Sequence, residues 1–388
     1  MEKPKIRFGK FNNKWKKNKL DTVVDFFDNQ RIPIDSGERK AGPYPYYGAS
    51  GIIDYVDGYI FNGEYVLLAE DGANIILRSS PIAYLTKGKF WLNNHAHIMK
   101  MKTGSNEFLI QLLEKQNYEK YNTGTAQPKL NGEVVKKISL HFPSDDEQSA
   151  IGSLFRTLYD LLASYKYNLA NYQSLRGTML SKMFPKAGQT VPEIRLDGFE
   201  GEWEEKKLGE IVDIIGGGTP DTNVKEYWNG EINWFSPTEV GNSIYLDTSE
   251  KRISELGLQK SSAKILPANR TILFTSRAGI GSVGIITKDS TTNQGFQSLV
   301  TKQGIDIYFL FSYSSEITRY ALKHSAGSTF LEISGKELGK MDIIIPTYEE
   351  QQAIGSYFSN LDQLITSYQD KITQLETLKK KLLQDMFI

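Results

Sequence analysis

The sequence predicts an α+β protein made by internal duplication, with two globular units, each followed by a long helix, and the two helices pairing as an antiparallel coiled coil about a pseudo-two-fold axis. Three observations carry this reading. Residues 142–185 align without a gap on residues 345–388, with 16 of 44 positions identical. The segments that open the two globular parts also align, 4–20 on 192–208, keeping Pro4/Pro192, Ile6/Ile194, Arg7/Arg195, Phe11/Phe199, Trp15/Trp203 and Leu20/Leu208. Between these frames, short β-like runs alternate with glycine-rich turns and a helical stretch. The expected boundaries are a first unit at 1–142, a spacer helix at 143–185, a second unit at 186–344 and a second spacer helix at 345–388.

Each helix announces its start with a capping-box pattern just after a proline, Ser144 with Glu147 and Thr347 with Glu350. Apolar residues then recur at alternating steps of four and three. Ile151, Phe155, Leu158, Leu162 and Tyr165 continue through Leu169, Tyr172, Met179 and Met183; Ile354, Phe358, Leu361, Ile365 and Tyr368 continue through Ile372, Leu375, Leu382 and Met386. This is a coiled-coil seam, interrupted at the equivalent positions Arg176 and Lys379, where a polar residue sets register or partner choice. A helix of this length spans roughly 57 Å at about 1.5 Å per residue, long for a private core element and suited to a spacer. Antiparallel pairing within one chain would put the segments preceding the helices at opposite ends.

Composition bounds the class. A chain of 388 residues with 39% hydrophobic and 24% charged residues is ordinary for a soluble protein of two or three domains. No apolar run approaches about 18 residues, and the lysine-rich start is too polar for a signal peptide, so a cytoplasmic protein without a membrane segment is expected. The absence of cysteine removes disulfides, thiolate metal sites and cysteine nucleophiles. Net charge is zero but unevenly divided: residues 1–143 carry 21 basic against 15 acidic side chains, and residues 186–344 carry 17 against 21. The two opening segments have opposite charge, which argues against a shared phosphate-binding role and favours a surface arm or linker.

In the first unit the expected strands are Ile52 to Tyr55, Tyr65 to Ala69, Ile75 to Leu77, Ile82 to Leu85 and Ala96 to Met99, with a helix from Glu107 to Tyr121. In the second they are Ile232 to Phe235, Thr271 to Thr275, Val283 to Thr287 and Gln297 to Thr301, with a helix from Ile305 to His324. Glycine-and-hydroxyl turns at 122–127 and 325–330 close both units, and Pro185 to Pro192 reads as a linker.

The chemistry is that of binding. Gly279-Ile-Gly281-Ser-Val-Gly284 matches a dinucleotide fingerprint, but a strand-like run follows it where a helix is needed, so a tight turn is expected. His95 and His97, placed on one face of a strand, lack accompanying ligand-spaced carboxylates and read as surface or packing residues, with no metal site. No phosphate loop, nucleophile elbow or amino-methyltransferase tetrapeptide is present, so no catalytic centre is expected. What remains are polar and aromatic loops able to donate to phosphates and present amides to base edges. These are Tyr44, Tyr46, Tyr47, Lys87, Lys89, Asn93, Asn94 and His95 in the first unit, and Thr219, Lys225, Ser276, Arg277, Asn293, Gln294, Ser328 and Thr329 in the second.

The pattern resembles the specificity subunit of type I restriction-modification systems over nearly the whole chain. The resemblance rests on the duplication and on the P-x-x-x-E-Q-x-A-I-G start of each helix: Pro143, Glu147, Gln148, Ala150, Ile151 and Gly152, repeated at Pro346, Glu350, Gln351, Ala353, Ile354 and Gly355. It rests also on the stretch from Tyr44 to Gly51 and on Gly216 to Pro220 leading to Tyr227 to Trp234. The resemblance implies a non-catalytic reader of a split target in double-stranded DNA. The helices would serve as a ruler and their outer faces would hold two methyltransferase subunits. Those subunits would carry S-adenosylmethionine, and restriction subunits would bring ATP and Mg, with no cofactor on this chain. Two competing readings are the specificity region of a single-chain restriction-methylation enzyme and a coiled-coil scaffold that binds proteins alone.

Overall fold

The computed structural model describes residues 3–277, 279–327 and 331–388. The chain forms two compact units, Met1–Asn168 with Tyr368–Ile388, and Leu169–Ser367. The division does not follow the expected boundaries, because each unit takes the first part of one long helix and the last part of the other.

In the first unit an antiparallel four-stranded sheet runs in the order Val24–Phe26, Ala96–Met101, Tyr65–Ala69, Ala83–Thr86. A second four-stranded sheet has the order Gly51–Val56, Ala41–Gly48, Lys89–Leu92, Phe61–Asn62, with Ala41–Gly48 parallel to Lys89–Leu92. The second unit repeats this plan. Val212–Gly216, Gln297–Thr301, Thr271–Phe274, Val283–Ile286 and Tyr245–Leu246 form one sheet, and Trp228–Phe235 lies between Lys251–Ile253 and, in parallel, Ser290–Thr292.

Three sequence expectations are corrected. Ile75 to Leu77 belongs to a one-turn helix, Asn74–Leu77, because the Asn74 side chain accepts from Ser79 and Ser80 and buries Ile75 while Leu77 stays exposed. The helix expected from Glu107 ends at Lys115, where Gln116 turns extended and Tyr118 is buried. The helix of the second unit is broken into Ile307–Ser312 and Ser314–His324, with Tyr313 at the joint, its hydroxyl donating to the Ile344 carbonyl.

The opening segments are not loose arms. Lys16–Lys19 pairs with Ser139–Phe142, and Glu204–Lys207 with Asp342–Ile345. Trp15 and Trp203 are core residues. Arg7 donates to both carboxylate oxygens of Glu147 at 2.6 and 2.7 Å, and Arg195 does the same to Glu350 at 2.8 and 2.7 Å. The glutamates predicted to close capping boxes are thus held in bidentate pairs by arginines 140 and 155 residues earlier.

The rest of the helix-start motif is equally physical. Gln148 and Gln351 donate to the carbonyls of Pro143 and Pro346. Gly152 and Gly355 lie against the N-terminus of the neighbouring helix, where an added Cβ would meet Ser105 Oγ at 2.5 Å and Asp306 Oδ1 at 2.2 Å. Ser105 and Asp306 cap that helix through the Phe108 and Phe309 amides.

The long helices are Asp145–Lys182 and Tyr348–Asp385. In the first unit Tyr159 meets Lys379 and Tyr165 meets Tyr368, so the two segments are antiparallel; in the second, Arg176 meets Asp362 and Phe184 meets Phe358 in the same sense. The beginning of each seam is less a coiled coil than a piece of globular core. Ile151 and Phe155 join the cluster of Trp15, Phe108 and Phe142, and Ile354 and Phe358 join that of Trp203 and Phe309. Leu158, Leu162, Leu361 and Ile365 are buried, and Tyr165 and Tyr368 are half-buried. The far ends are anchored too, since Met386 and Phe387 fill the first unit's core and Met183 and Phe184 the second's.

Arg176 and Lys379 are accommodated differently. Arg176 makes two hydrogen bonds to Asp362, which also accepts from the Tyr308 hydroxyl at 2.9 Å. Lys379 lies 4.6 Å from the centre of the Tyr159 ring.

Candidate nucleic-acid interface

A three-loop frame occurs in both units, held by corresponding backbone hydrogen bonds. In the first, the Asn93 amide donates to the Tyr47 carbonyl at 3.1 Å, and Asn93 Oδ1 accepts from the His95 amide at 2.9 Å, closing an Asx turn. The His95 carbonyl accepts from Glu70, and the Glu70 carbonyl accepts from Leu130. In the second, the Asn293 amide donates to the Phe235 carbonyl at 3.1 Å, and Asn293 Oδ1 accepts from Gly295 at 2.8 Å. The Gly295 carbonyl accepts from Ser276, and the Ser276 carbonyl accepts from Ile333. Asn131 and Ser334, one residue beyond the third loop's anchor, cap the next short helix in each unit.

Loops joined this way form a rigid base whose side chains are free to differ. In the first unit the base is charged. Arg31 is largely buried, donating to Glu70 at 2.6 Å and to the Ala96 carbonyl at 2.8 Å. His97 is buried in this network rather than sharing a surface with His95, its ring nitrogens 2.7 Å from Asp28 and 2.8 Å from the Leu130 carbonyl. Burial would raise the Asp28 carboxyl, but the hydrogen bond and charge of His97, with the Ile98 amide and Arg31, hold it below the usual carboxylate range. His95 sits in the turn and pairs with Asp71 at 2.8 Å. None of Asp28, Arg31, Glu70, Asp71 and Lys129 stood out in the sequence, because each is an ordinary loop charge until the loops meet.

In the second unit the base is nearly neutral. Thr219 donates to the Gln294 side chain. The glycines before it permit close approach: a Cβ on Gly217 would fall 2.0 Å from the Asn293 carbonyl oxygen, and one on Gly218 2.3 Å from Ser262 Oγ. The Arg277 backbone pairs with that of Glu332 in an isolated antiparallel β-bridge at the frame's edge. Gly279 to Gly281 form a turn, at φ of 121° and 102° for the two glycines, and it leads directly into the strand Val283–Ile286, which contains Gly284.

The remaining candidates scatter. Tyr46 is fully buried, its hydroxyl bonded to the Ile34 backbone and Arg39 stacked on its ring, so it supports the hairpin and offers no contact surface. Asn93 and Ser276 are likewise buried, and Asn293 is half-buried. Tyr47 is half-buried against Tyr84 and Phe90. Half-buried Tyr44 and exposed Lys89 form a separate cluster with exposed Tyr59, the ammonium 4.7 Å from the Tyr59 ring. Lys87 is exposed beside Glu64, and Lys225 is exposed in a short 3-10 turn. Ser328 and Thr329 lie outside the described residues. No group of three or more metal-ligating side chains occurs among the described residues, and no helix among them is long and apolar enough to cross a membrane.

The sequence profile of the type I restriction modification DNA specificity domain matches residues 12–171 and again residues 200–377. The chain belongs to this family. The specificity subunit of a type I restriction enzyme from Methanocaldococcus jannaschii is 38% identical over 192 residues, which is 48% of this chain and 44% of that protein. The specificity subunit of the Escherichia coli enzyme EcoR124I/EcoR124II is 33% identical over 190 residues, 47% of this chain and 46% of that protein. The chain thus spans a little under half the length of each of these relatives. The crystal structure of a type I restriction-modification specificity subunit from M. genitalium superposes with a TM-score of 0.71, covering 100% of this chain and 99% of that one. At 16% identity that likeness speaks for the fold. The family's matched segments each contain one copy of the three-loop frame.

Proposed function

We propose that this chain is the DNA-sequence specificity subunit of a type I restriction-modification complex, a non-catalytic cytoplasmic protein that binds a two-part target in double-stranded DNA. The observation that carries the proposal is the loop frame, built twice with the same backbone bonds and filled with different side chains. Two readers of different half-sites need that combination, since groove-reading side chains must be held in place while their identities vary. Two methyltransferase subunits would bind the long helices and bring S-adenosylmethionine. Restriction subunits with ATP and Mg would complete the nuclease, and this chain would hold no cofactor of its own. Family membership and the names of the relatives support this reading over a single-chain enzyme or a protein-only scaffold.

The test is to map methylated bases in DNA from the source cells with and without this chain. Loss of one split, asymmetric motif on deletion is expected. A methylation pattern unchanged by the deletion would refute the proposal.

A further inference from the structure

Each loop frame exposes one side chain that takes no part in closing its turn. In the turn Asn93-Asn94-His95 the first residue is buried and its Oδ1 closes the turn, while the third is tied through its backbone to Glu70 and through its ring to Asp71. Asn94 stands between them, exposed, with only its backbone carbonyl bonded, to Arg31. In Asn293-Gln294-Gly295 the first residue again closes the turn, the third has no side chain, and Gln294 is exposed between them. The Gln294 oxygen accepts from Thr219, which fixes the plane of the amide, and its NH2 bonds to no other described residue.

The backbone does not require a carboxamide at either tip. Asparagine is favoured where φ is positive, yet among the described residues the non-glycine residues with positive φ are Arg78, Asn229 and Asn269, and neither tip residue is among them. The same functional group therefore stands at the same place in two turns that otherwise share only the asparagine that closes them. A carboxamide pairs a donor and an acceptor in one plane. Among base edges in the major groove, that pair complements adenine, which offers an N6 donor beside an N7 acceptor; guanine offers two acceptors and calls for arginine or lysine.

Resting on the specificity-subunit reading, we infer that Asn94 and Gln294 are the equivalent base-reading side chains of the two units, each recognising an adenine in its own half of the target. Thr219 is a positioning residue for Gln294, and Asn93 and Asn293 hold the tips in place without touching DNA.

The test is selection from a library of randomised duplex DNA by the full chain in complex with its methyltransferase subunits, comparing wild type with Asn94→Asp and Gln294→Ala. Asn94→Asp keeps the size and removes the donor; as the Asn94 amide makes no internal hydrogen bond, thermal melting should match wild type. Each variant is expected to lose roughly five- to a hundred-fold discrimination at one adenine, in one half-site, and in opposite halves for the two variants. Thr219→Val should weaken discrimination at the Gln294 position alone. A wild-type motif recovered unchanged with both variants would overturn the inference while leaving the specificity reading intact, as would a single variant that relaxes both halves. A wild-type complex that enriches no motif would refute the specificity reading itself, and this inference with it.

Discussion

Cutting the chain after residue 185 should convert an intramolecular pairing into a homodimer. The first unit borrows Met386 and Phe387 from the second helix, each 3% exposed, with the Phe387 ring 5.5 Å from Phe108, 5.9 Å from Phe155 and 6.2 Å from Trp15. Residues 1–185 alone leave that socket empty. They also carry Met183 and Phe184, the repeat-equivalents of the missing pair, which have lost their own socket among Trp203, Phe309 and Phe358. Two copies can fill each other's sockets. Burying one Met and one Phe contributes about 3–6 kcal/mol, so two sockets give about 6–12 kcal/mol. The rest of the seam adds to this, against an association cost of about 4–15 kcal/mol. A dimer populated at micromolar concentration, about 8 kcal/mol, is expected with the seam supplying what the sockets do not.

The register also decides the charges. A seam in which two copies of Arg176 face each other would be repulsive, but Arg176 opposes residue 362, the repeat-equivalent of Tyr159. In the fragment dimer each Arg176 would lie over the partner copy's Tyr159, as Lys379 does in the intact chain. Arg176→Ala should then weaken the dimer by about 1–2 kcal/mol over two contacts, roughly 5- to 30-fold in Kd. Sedimentation equilibrium reads both values. A folded monomer of residues 1–185 at micromolar concentration, or a tighter dimer for Arg176→Ala, would refute the reasoning.

Three further outcomes are expected. Gly152→Ala forces a methyl against Ser105 Oγ and should cost about 1–3 kcal/mol, lowering the melting temperature by roughly 3–10 °C, whereas an unshifted melt would contradict the packing described. The Asp28 carboxyl is held below its ordinary value of 3.8, so its stabilisation is complete above that pH and is lost as pH falls through the lower folded value. Denaturant unfolding should accordingly show Asp28→Asn well below wild type at about pH 7 and closer to it at about pH 3; an equal gap at both would count against the Asp28–His97 bond as the source. Because each unit holds a segment of both long helices, a spacer change must be made in both. One heptad added to each should lengthen the methylated motif's spacer by about three base pairs, from a rise of roughly 10 Å, and an unaltered spacer would dispose of the ruler.

What could be read from the sequence was what repeats at a fixed offset. The helices align at 203 residues, and their seam and the P-x-x-x-E-Q-x-A-I-G start follow from that, while the opening segments with their tryptophans align at 188. The partners of the motif could not be read. Glu147 is a capping glutamate by local pattern, and only folding reveals that Arg7 takes both its oxygens. The loop frame was hidden because insertions change the offset from piece to piece. Tyr47 and Phe235 are 188 residues apart, Asn93 and Asn293 200, Leu130 and Ile333 203, and Glu70 and Ser276 206. Asn93-Asn94 and Asn293-Gln294 were visible as amide-bearing turns, but nothing local marks one as the counterpart of the other. Nor does it show that the first amide of each pair is structural and the second exposed.

That division of labour within two adjacent residues bears on how such a protein can change what it reads. The frame is held by main-chain bonds, from Asn93 to Tyr47, Glu70 to His95 and Leu130 to Glu70, and by their counterparts in the second unit. Each contributes about 1 kcal/mol whatever side chains flank it. Ala, Asp or Arg at position 94 would therefore leave the frame intact, whereas Asn93→Ala would remove the turn's acceptor and leave the His95 amide without its partner. With the tips as the proposed readers, stability and specificity sit on separate atoms. The charged base of the first unit marks the limit of that freedom, since Glu70, Arg31, Asp28 and His97 are mutually bonded and replacing one leaves another buried without its partner. Exchange of reading side chains should be nearly neutral at the tips 94 and 294 and costly one layer below. Melting temperatures of single variants at 94 and 97 would measure that contrast directly, and equal losses at both would show that tip and base are one cooperative element.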